Sequence, residues 1–110
     1  MNTVPYTQFA DITIVVGHIV SAAVVPEADR LLQLMVDVGE AEPRQVVSGI
    51  REYFPDEQVL VGQRCPFVIN LEPREIRGLV SQAMILAAHH GDQFSLLRVD
   101  PTLPPGTPVR

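Results

Sequence analysis

The chain has 110 residues, 46% of them hydrophobic and 19% charged, which predicts one folded domain and excludes an intrinsically disordered chain. A single cysteine, Cys65, excludes an internal disulfide framework. The longest apolar stretch, residues 12–25, contains Gly17 and His18 and is too short to span a bilayer. The first twelve residues have no Lys or Arg, unlike a signal peptide, so we expect a cytoplasmic protein without membrane contact.

The charge balance is acidic, with 8 basic and 13 acidic residues and a net charge of −5. No segment is strongly basic, so bulk electrostatics does not predict nucleic-acid binding. Every basic residue is an arginine. A GC-rich coding sequence explains this most simply, although guanidinium groups also suit phosphates and base edges. Composition does not separate the two explanations.

The first half of the chain predicts three strands. Residues 12–25 are rich in Val and Ile, and Gly17 in their middle indicates a bulge or sharp bend. A turn at residues 26–29 leads to a partly alternating strand at 31–38. The third predicted strand covers residues 45–50.

The second half predicts one short helix and further strands. Residues 55–61 begin with Pro55 and are followed by Gly62, which is typical of a helix start and end. The remaining predictions are strands at 65–70, 81–88 and 94–99, a loop at 71–78, and a turn at 89–92. Four prolines in residues 100–110 forbid a helix or central strand there, so we expect an extended C-terminal arm.

These elements predict an all-β fold. Five main strands, with one short helix between the third and fourth, are what a five-stranded Greek-key barrel of the oligonucleotide-binding (OB) type requires. A bent first strand lets one long strand serve both sides of the closed sheet. Periodicity alone leaves an SH3-like barrel or a small sandwich nearly as compatible.

No catalytic arrangement is visible. The adjacent His89 and His90 lack the i, i+4 spacing of a helical zinc site. Cys65 lies in an apolar strand, which predicts a buried, inert thiol. A set of Ser81, His89 and Asp92 lacks the nucleophile-elbow pattern, and there is no Gly-rich phosphate loop. We expect no enzyme activity, no metal and no cofactor.

The strongest local candidate for binding is the segment 70–84. Arg74 and Arg77 lie close together in a predicted loop between strands, and such loops beside an OB barrel are where nucleic acid docks. Each guanidinium can contact a phosphate with two hydrogen bonds or stack on a base. Simple surface pairing with Glu72 and Glu75 is an equally good interpretation of the spacing.

The chain resembles, over nearly its whole length, the small tRNA-binding OB-fold proteins related to the C-terminal tRNA-binding domain (beta chain) of methionyl-tRNA synthetase. That superfamily includes CsaA-type export chaperones and EMAP II-like cytokine domains. The blocks that carry the resemblance are residues 9–19, 27–31, 36–39, 44–50, 70–78 and 81–84, and the ending at 104–109 also fits.

The resemblance implies non-catalytic recognition of tRNA shape, in assistance of an aminoacyl-tRNA synthetase. Matching positions give the RNA-facing candidates Arg30, Arg44, Ser48, Asn70, Arg74, Arg77, Ser81 and Met84. Arg30 and Arg44 would contact the RNA backbone, and Asn70 and Ser81 would bond to ribose or base. Met84 would offer an apolar surface to a base, with core packing as the alternative.

The resemblance also implies a homodimer, closed by the N-terminal segment and the C-terminal arm. The matching residues are Tyr6, Phe9, Pro104, Pro105 and Val109. The alternative is that both ends pack on their own barrel.

Four positions depart from the family pattern. Val15, His18, Glu72 and Glu75 stand where the family usually has Arg or Lys, which predicts weaker phosphate binding. Two other functions therefore stay open: a CsaA-type chaperone that binds extended peptides, and a module that tethers synthetases to one another.

Overall fold

The computed structural model describes the whole chain, residues 1–110. One α-helix, two 3₁₀ turns and ten strands form in the following order: α1 (Tyr6–Ala10), β1 (Ile14–Val24), β2 (Leu32–Asp37), β3 (Arg44–Ser48), 3₁₀ turns at Arg51–Tyr53 and Glu57–Leu60, β4 (Arg64–Val68), β5 (Arg74–Ile76), β6 (Leu79–Ser81), β7 (Met84–Ile85), β8 (Ala87–His90), β9 (Gln93–Leu96) and β10 (Pro108–Val109).

Five strands form a nearly closed barrel of the OB type, as the sequence predicts. The sheet order is β3-β2-β1-β4-β7, with β10 added beside β1, and all pairings are antiparallel. The remaining gap in the barrel lies between the two outer strands of this order, β3 and β7. It is bridged by a hydrogen bond that the Gln82 amide donates to the Gln45 carbonyl at 2.8 Å. The Val47 amide also donates to the hydroxyl of Ser81 at 3.0 Å.

The barrel interior is filled by aliphatic side chains and Phe67. A cluster of 14 buried residues forms the core, and Cys65 lies fully buried within it. Gly17 packs against Phe67: a Cβ there would lie 2.3 Å from the Phe67 ring and 2.7 Å from Val36. A glycine is therefore required for close packing at this point, since no side chain fits.

The first strand bends, but at a different residue from the one predicted. The register of β1 against β2 shifts between Ile19 and Ser21, whereas Gly17 pairs regularly with Cys65. The shift lets β1 pair with β2 along its second half and with β4 along its first half.

Three local predictions need correction. The helix predicted at 55–61 is a 3₁₀ turn at Glu57–Leu60, begun by the Asp56 carboxylate, which accepts from the Gln58 amide at 3.1 Å. The strand predicted at 81–88 is divided among β6, β7 and β8. His89 and His90, predicted in a turn, end strand β8, and the turn itself is at Gly91 and Asp92.

The termini differ from one another. The N-terminal segment contains helix α1, which the sequence did not predict and which has no buried residue. The C-terminal arm is anchored on its own barrel: β10 pairs with β1, and the Gly106 amide donates to the Val16 carbonyl at 2.8 Å. No helix in the structure is long and apolar enough to cross a membrane.

Candidate nucleic-acid interface

The segment predicted as a loop at 71–78 instead contains a β-hairpin. Strands β5 and β6 pair Arg74 with Ser81 and Ile76 with Leu79, so only Arg77 and Gly78 form the turn. Both turn residues have positive φ, 54° at Arg77 and 79° at Gly78, as a type I′ hairpin requires. Asn or Gly normally occupies the first of these positions, so an arginine there is conformationally unfavourable.

The turn between β1 and β2 faces the tip of this hairpin. Its backbone is held in place by Arg51, whose side chain donates to the Ala28 carbonyl at 3.0 Å and whose amide donates to the Arg30 carbonyl at 3.2 Å. Ala28 is buried, while Glu27, Asp29 and Arg30 are exposed. Glu27 has a φ of 62°.

An open groove of about 390 Å³ lies between this turn and the hairpin tip. Arg30 borders it on one side and Arg77 on the other. The chain has one ion pair, between Arg44 and Glu40, so Arg74 and Arg77 do not pair with Glu72 and Glu75. The surface-pairing interpretation of the arginines is therefore wrong, and both guanidinium groups are exposed without an ionic partner.

Arg44 is engaged within the protein. Its guanidinium holds the Glu40 carboxylate with two bonds of 2.8 Å and donates to the carbonyls of Ile69 and Gln82 at 2.5 and 3.1 Å. The bond from Arg44 holds the pKa of Glu40 below its ordinary value, and the bond to Glu40 raises the pKa of Arg44.

Asn70 and Ser81 also bond within the protein. The Asn70 side chain accepts from the Thr13 amide at 2.7 Å and donates to the Asp11 carbonyl at 2.6 Å. The Ser81 hydroxyl accepts from Val47 and donates to the Ala83 carbonyl at 3.1 Å. RNA contact stays a prediction for Arg44, Asn70 and Ser81, whose polar groups already have partners.

The remaining RNA-facing candidates have freer side chains. Met84 is 46% exposed, so its alternative assignment to the core is wrong. Ser48 is half-buried at the end of β3, next to Gly49, which lies against the Arg30 carbonyl. The structure therefore brings Arg30 and Arg77 together at one groove, with Ser48 near Arg30, and places Arg74 at the base of the same hairpin as Arg77.

Two of the four departures from the family pattern lie away from this end. Val15 is buried in the core. His18 is half-buried, and its Nδ1 accepts from the Arg64 side chain at 3.2 Å. Of the four departures, only Glu72 and Glu75 lie exposed in or just before the hairpin, so the expected loss of positive charge around the binding surface is smaller than four positions suggest.

An aromatic cluster beside the groove was not predicted. The rings of Tyr53 and Phe94 stack at 4.2 Å, and the Tyr53 hydroxyl lies 3.1 Å from His89 Nε2. Burial, followed by the charge of Glu52, raises the pKa of Tyr53, while the charge of Arg30 acts in the opposite direction. No sequence spacing indicated this cluster, because it joins a 3₁₀ turn to strands some 40 residues later.

The residues predicted at a dimer interface are only partly grouped. Tyr6 and Phe9 are 77% and 42% exposed, and together with Val109 they border an apolar hollow of about 300 Å³. Pro104 and Pro105 lie outside this hollow: the Pro105 carbonyl lies against Gly39, and the Pro104 carbonyl accepts from Thr107. The arm thus packs on its own barrel, while α1 has no buried residue, and the predicted dimer interface stays a prediction.

Residues 14–108 match the family model described as "Putative tRNA binding domain". The chain belongs to this tRNA-binding domain family. The match runs from the first residue of β1 into β10 and so includes the whole barrel, both groove borders and the hairpin.

The curated relatives of this chain include methionine–tRNA ligases from several organisms. The protein from Streptococcus pneumoniae is 40% identical over 98% of this chain but only 16% of its own length. The protein from Methanosphaerula palustris is 42% identical over 94% of this chain and 15% of its own length. The chain therefore spans about one sixth of the curated relatives it matches.

Solved structures support the same fold. The MetRS related protein from Pyrococcus horikoshii superposes with a TM-score of 0.93 and 31% identity, with full coverage of both chains. The chaperone CsaA from Bacillus anthracis superposes with a TM-score of 0.87 over 99% of this chain and 100% of its own, at 23% identity. The second likeness shows the shared fold alone.

Proposed function

We propose that this tRNA-binding domain holds tRNA through the arginine end of the barrel, without catalysis, and assists an aminoacyl-tRNA synthetase. The observation that carries the proposal is that Arg30 and Arg77, both exposed and without an ionic partner, border one groove, while the equally exposed Arg74 lies on the same hairpin as Arg77. Free guanidinium groups contact phosphates without first breaking an internal ion pair.

The geometry favours recognition of backbone shape. Arg30 and Arg77 border opposite sides of the groove, and a phosphate chain passing between them would be contacted from both sides. Phosphate contacts fix the position of a nucleic acid but carry no base sequence, so the proposed recognition depends on tRNA geometry. Because the net charge is −5, we expect attraction to RNA phosphates only near these arginines and repulsion of RNA by the rest of the surface.

The first test is the fluorescence anisotropy of labelled bulk tRNA with the purified protein, from about 50 to 200 mM salt. We expect affinity to fall steeply with salt. The double variant R74A/R77A should bind more weakly, and its salt slope should fall by roughly 0.7–0.9 for each phosphate that an arginine no longer neutralises.

A matched control removes the same charge elsewhere. R98A/R110A also loses two arginines, of which Arg98 contacts Gln63 and Arg110 borders the apolar hollow. If this control weakens binding as much as R74A/R77A, bulk charge explains the result. If wild-type protein does not bind tRNA at the low-salt end, the proposed function is wrong.

The second candidate function is binding of extended apolar peptides. It is favoured by the hollow bordered by Tyr6, Phe9 and Val109, because the rings of Tyr6 and Phe9 are exposed and open to a partner. Binding of an unfolded apolar peptide that is insensitive to salt, and lost in F9D, would support it.

We also propose that this hollow is covered in a homodimer, in which α1 of each copy contacts the other. Sedimentation velocity would give a dimer for the wild-type protein and a monomer for F9D. A wild-type monomer at micromolar concentration would contradict the proposed homodimer. A synthetase partner, or tethering of several synthetases, would appear as protein capture that persists after RNase treatment.

A further inference from the structure

The groove between the β1–β2 turn and the hairpin tip carries charges of both signs. Glu27 and Asp29 border it together with Arg30 and Arg77. None of the four forms an ion pair, although all four side chains are exposed around the same groove. A surface adapted to phosphate alone would gain nothing from two carboxylates beside its arginines, because like charges repel.

Both non-glycine residues with positive φ in the chain border this groove. Glu27 has a φ of 62° and Arg77 a φ of 54°. A left-handed backbone costs about 1–2 kcal/mol for such residues, and strain of this kind is concentrated at binding sites. At each position the strained residue carries a charge, one negative and one positive, at the border of the same groove.

The two sides of the groove are held rigid by the barrel. Arg51 holds the backbone of the turn through the carbonyls of Ala28 and Arg30, and the two-residue hairpin turn sets the backbone position of Arg77. A backbone fixed before binding loses little conformational freedom when a ligand arrives. The groove thus presents two donating arginines and two accepting carboxylates on a backbone that is already in place.

We propose that Glu27 and Asp29 contribute favourably to RNA binding by accepting hydrogen bonds from a nucleotide whose phosphate is held by Arg30 and Arg77. This inference rests on the proposed tRNA-binding function and adds specificity to it. A nucleotide carries both features: an anionic phosphate and, one sugar away, donors in the ribose hydroxyl and the base amino groups. Carboxylates accept well from ribose 2′-hydroxyls and from exocyclic amines.

The test depends on the sign of one change. E27Q/D29N removes two negative charges, so a purely repulsive role predicts tighter binding of labelled tRNA. The proposed role predicts weaker binding, by about three- to tenfold at fixed salt, despite the gain in net charge. The matched control D11N/E42Q makes the same chemical changes at exposed carboxylates outside the groove and should leave affinity unchanged or slightly increased.

A second experiment identifies which group of the RNA donates hydrogen bonds to the carboxylates. The same titrations use a single-stranded RNA oligonucleotide and its DNA counterpart of identical sequence. If the ribose hydroxyl is the donor, wild type prefers RNA and E27Q/D29N loses that preference; if base amines are the donors, both oligonucleotides lose affinity equally. Either pattern supports the proposed acceptor role of the carboxylates.

Two results would overturn the inference: one leaves the proposed function intact, and the other contradicts it as well. Because the amide oxygens of Gln and Asn still accept hydrogen bonds, E27A/D29A, which removes both acceptors, is measured as well. If wild type binds tRNA and both variants bind it as well or better, the carboxylates do not accept from RNA, while the proposed function stands. If wild type binds no RNA, both proposals fail. Circular dichroism melting of each variant would show that the barrel is intact.

Discussion

Two ends of the barrel use arginine in opposite ways. At one corner, Arg44 bonds to the Glu40 carboxylate and to two backbone carbonyls, which joins β3 to the segments that follow β4 and β6. At the hairpin tip, Arg77 occupies a strained backbone position and has no ionic partner. The first arrangement serves the fold, and the second leaves a charge free for a ligand.

The contrast extends to other arginines of the chain. Arg51 and Arg64 donate to backbone carbonyls, as Arg44 does, and Arg64 thereby holds the C-terminal arm at Pro101 and Leu103. Arg30 and Arg74 are exposed without an ionic partner. The number of arginines is therefore a poor guide to nucleic-acid binding in this protein, because several of the arginines hold loops and the C-terminal arm in place.

The largest expected difference is in stability. R44A should lower the free energy of unfolding by about 2 kcal/mol, because two carbonyls lose a charged donor. R77A should change the free energy by less than about 0.5 kcal/mol, since its side chain makes no internal ion pair. Urea denaturation followed by circular dichroism measures both.

The reverse order would break the comparison. If R77A destabilised the barrel as much as R44A, the hairpin arginine would have a structural role that its exposure does not suggest. In that case weaker tRNA binding by R74A/R77A would no longer identify a phosphate contact.

A smaller effect sharpens the comparison at the hairpin tip. R77N should raise the free energy of unfolding by about 0.5–1 kcal/mol, because asparagine adopts the left-handed conformation of a type I′ turn more readily. The same variant should weaken tRNA binding, since one guanidinium is removed. A variant that is more stable yet binds less well would show that the guanidinium of Arg77 serves binding at a cost in stability; equal affinity would remove Arg77 from the interface.

The barrel could be predicted from sequence because its strands are local patterns. Val- and Ile-rich runs and the position of Gly62 indicate strand and turn boundaries from neighbouring residues alone. The β5–β6 hairpin was missed because each strand has three residues and its signals, Pro73 and several charges, are also those of a loop. Its turn, Arg77-Gly78, departs from the Asn-Gly pattern that predicts such hairpins.

The candidate site was less predictable, because partners distant in sequence decide which side chains are free. Ser81 bonds to Val47, 34 positions earlier, and Asn70 bonds to Thr13, 57 positions earlier. Nothing local to either residue shows that its hydrogen bonds are already formed. The resemblance could supply positions, but only the fold separates the engaged Arg44 from the free Arg30 and Arg77.

The smallest expected effect is the pH dependence of the Arg44 corner. The Glu40 pKa is lowered in the folded protein, mainly by the hydrogen bond from Arg44. The folded state therefore gains stability from ionised Glu40 above its ordinary pKa of about 4.3, and this gain disappears as pH falls through the lowered pKa. Wild type should be more stable than E40Q at pH 7, and the difference should disappear in acid. Because the carboxylate is exposed, salt should reduce the difference as well. A difference between wild type and E40Q that stayed constant from neutral to acidic pH would mean that the Glu40 side chain acts through packing rather than through its charge.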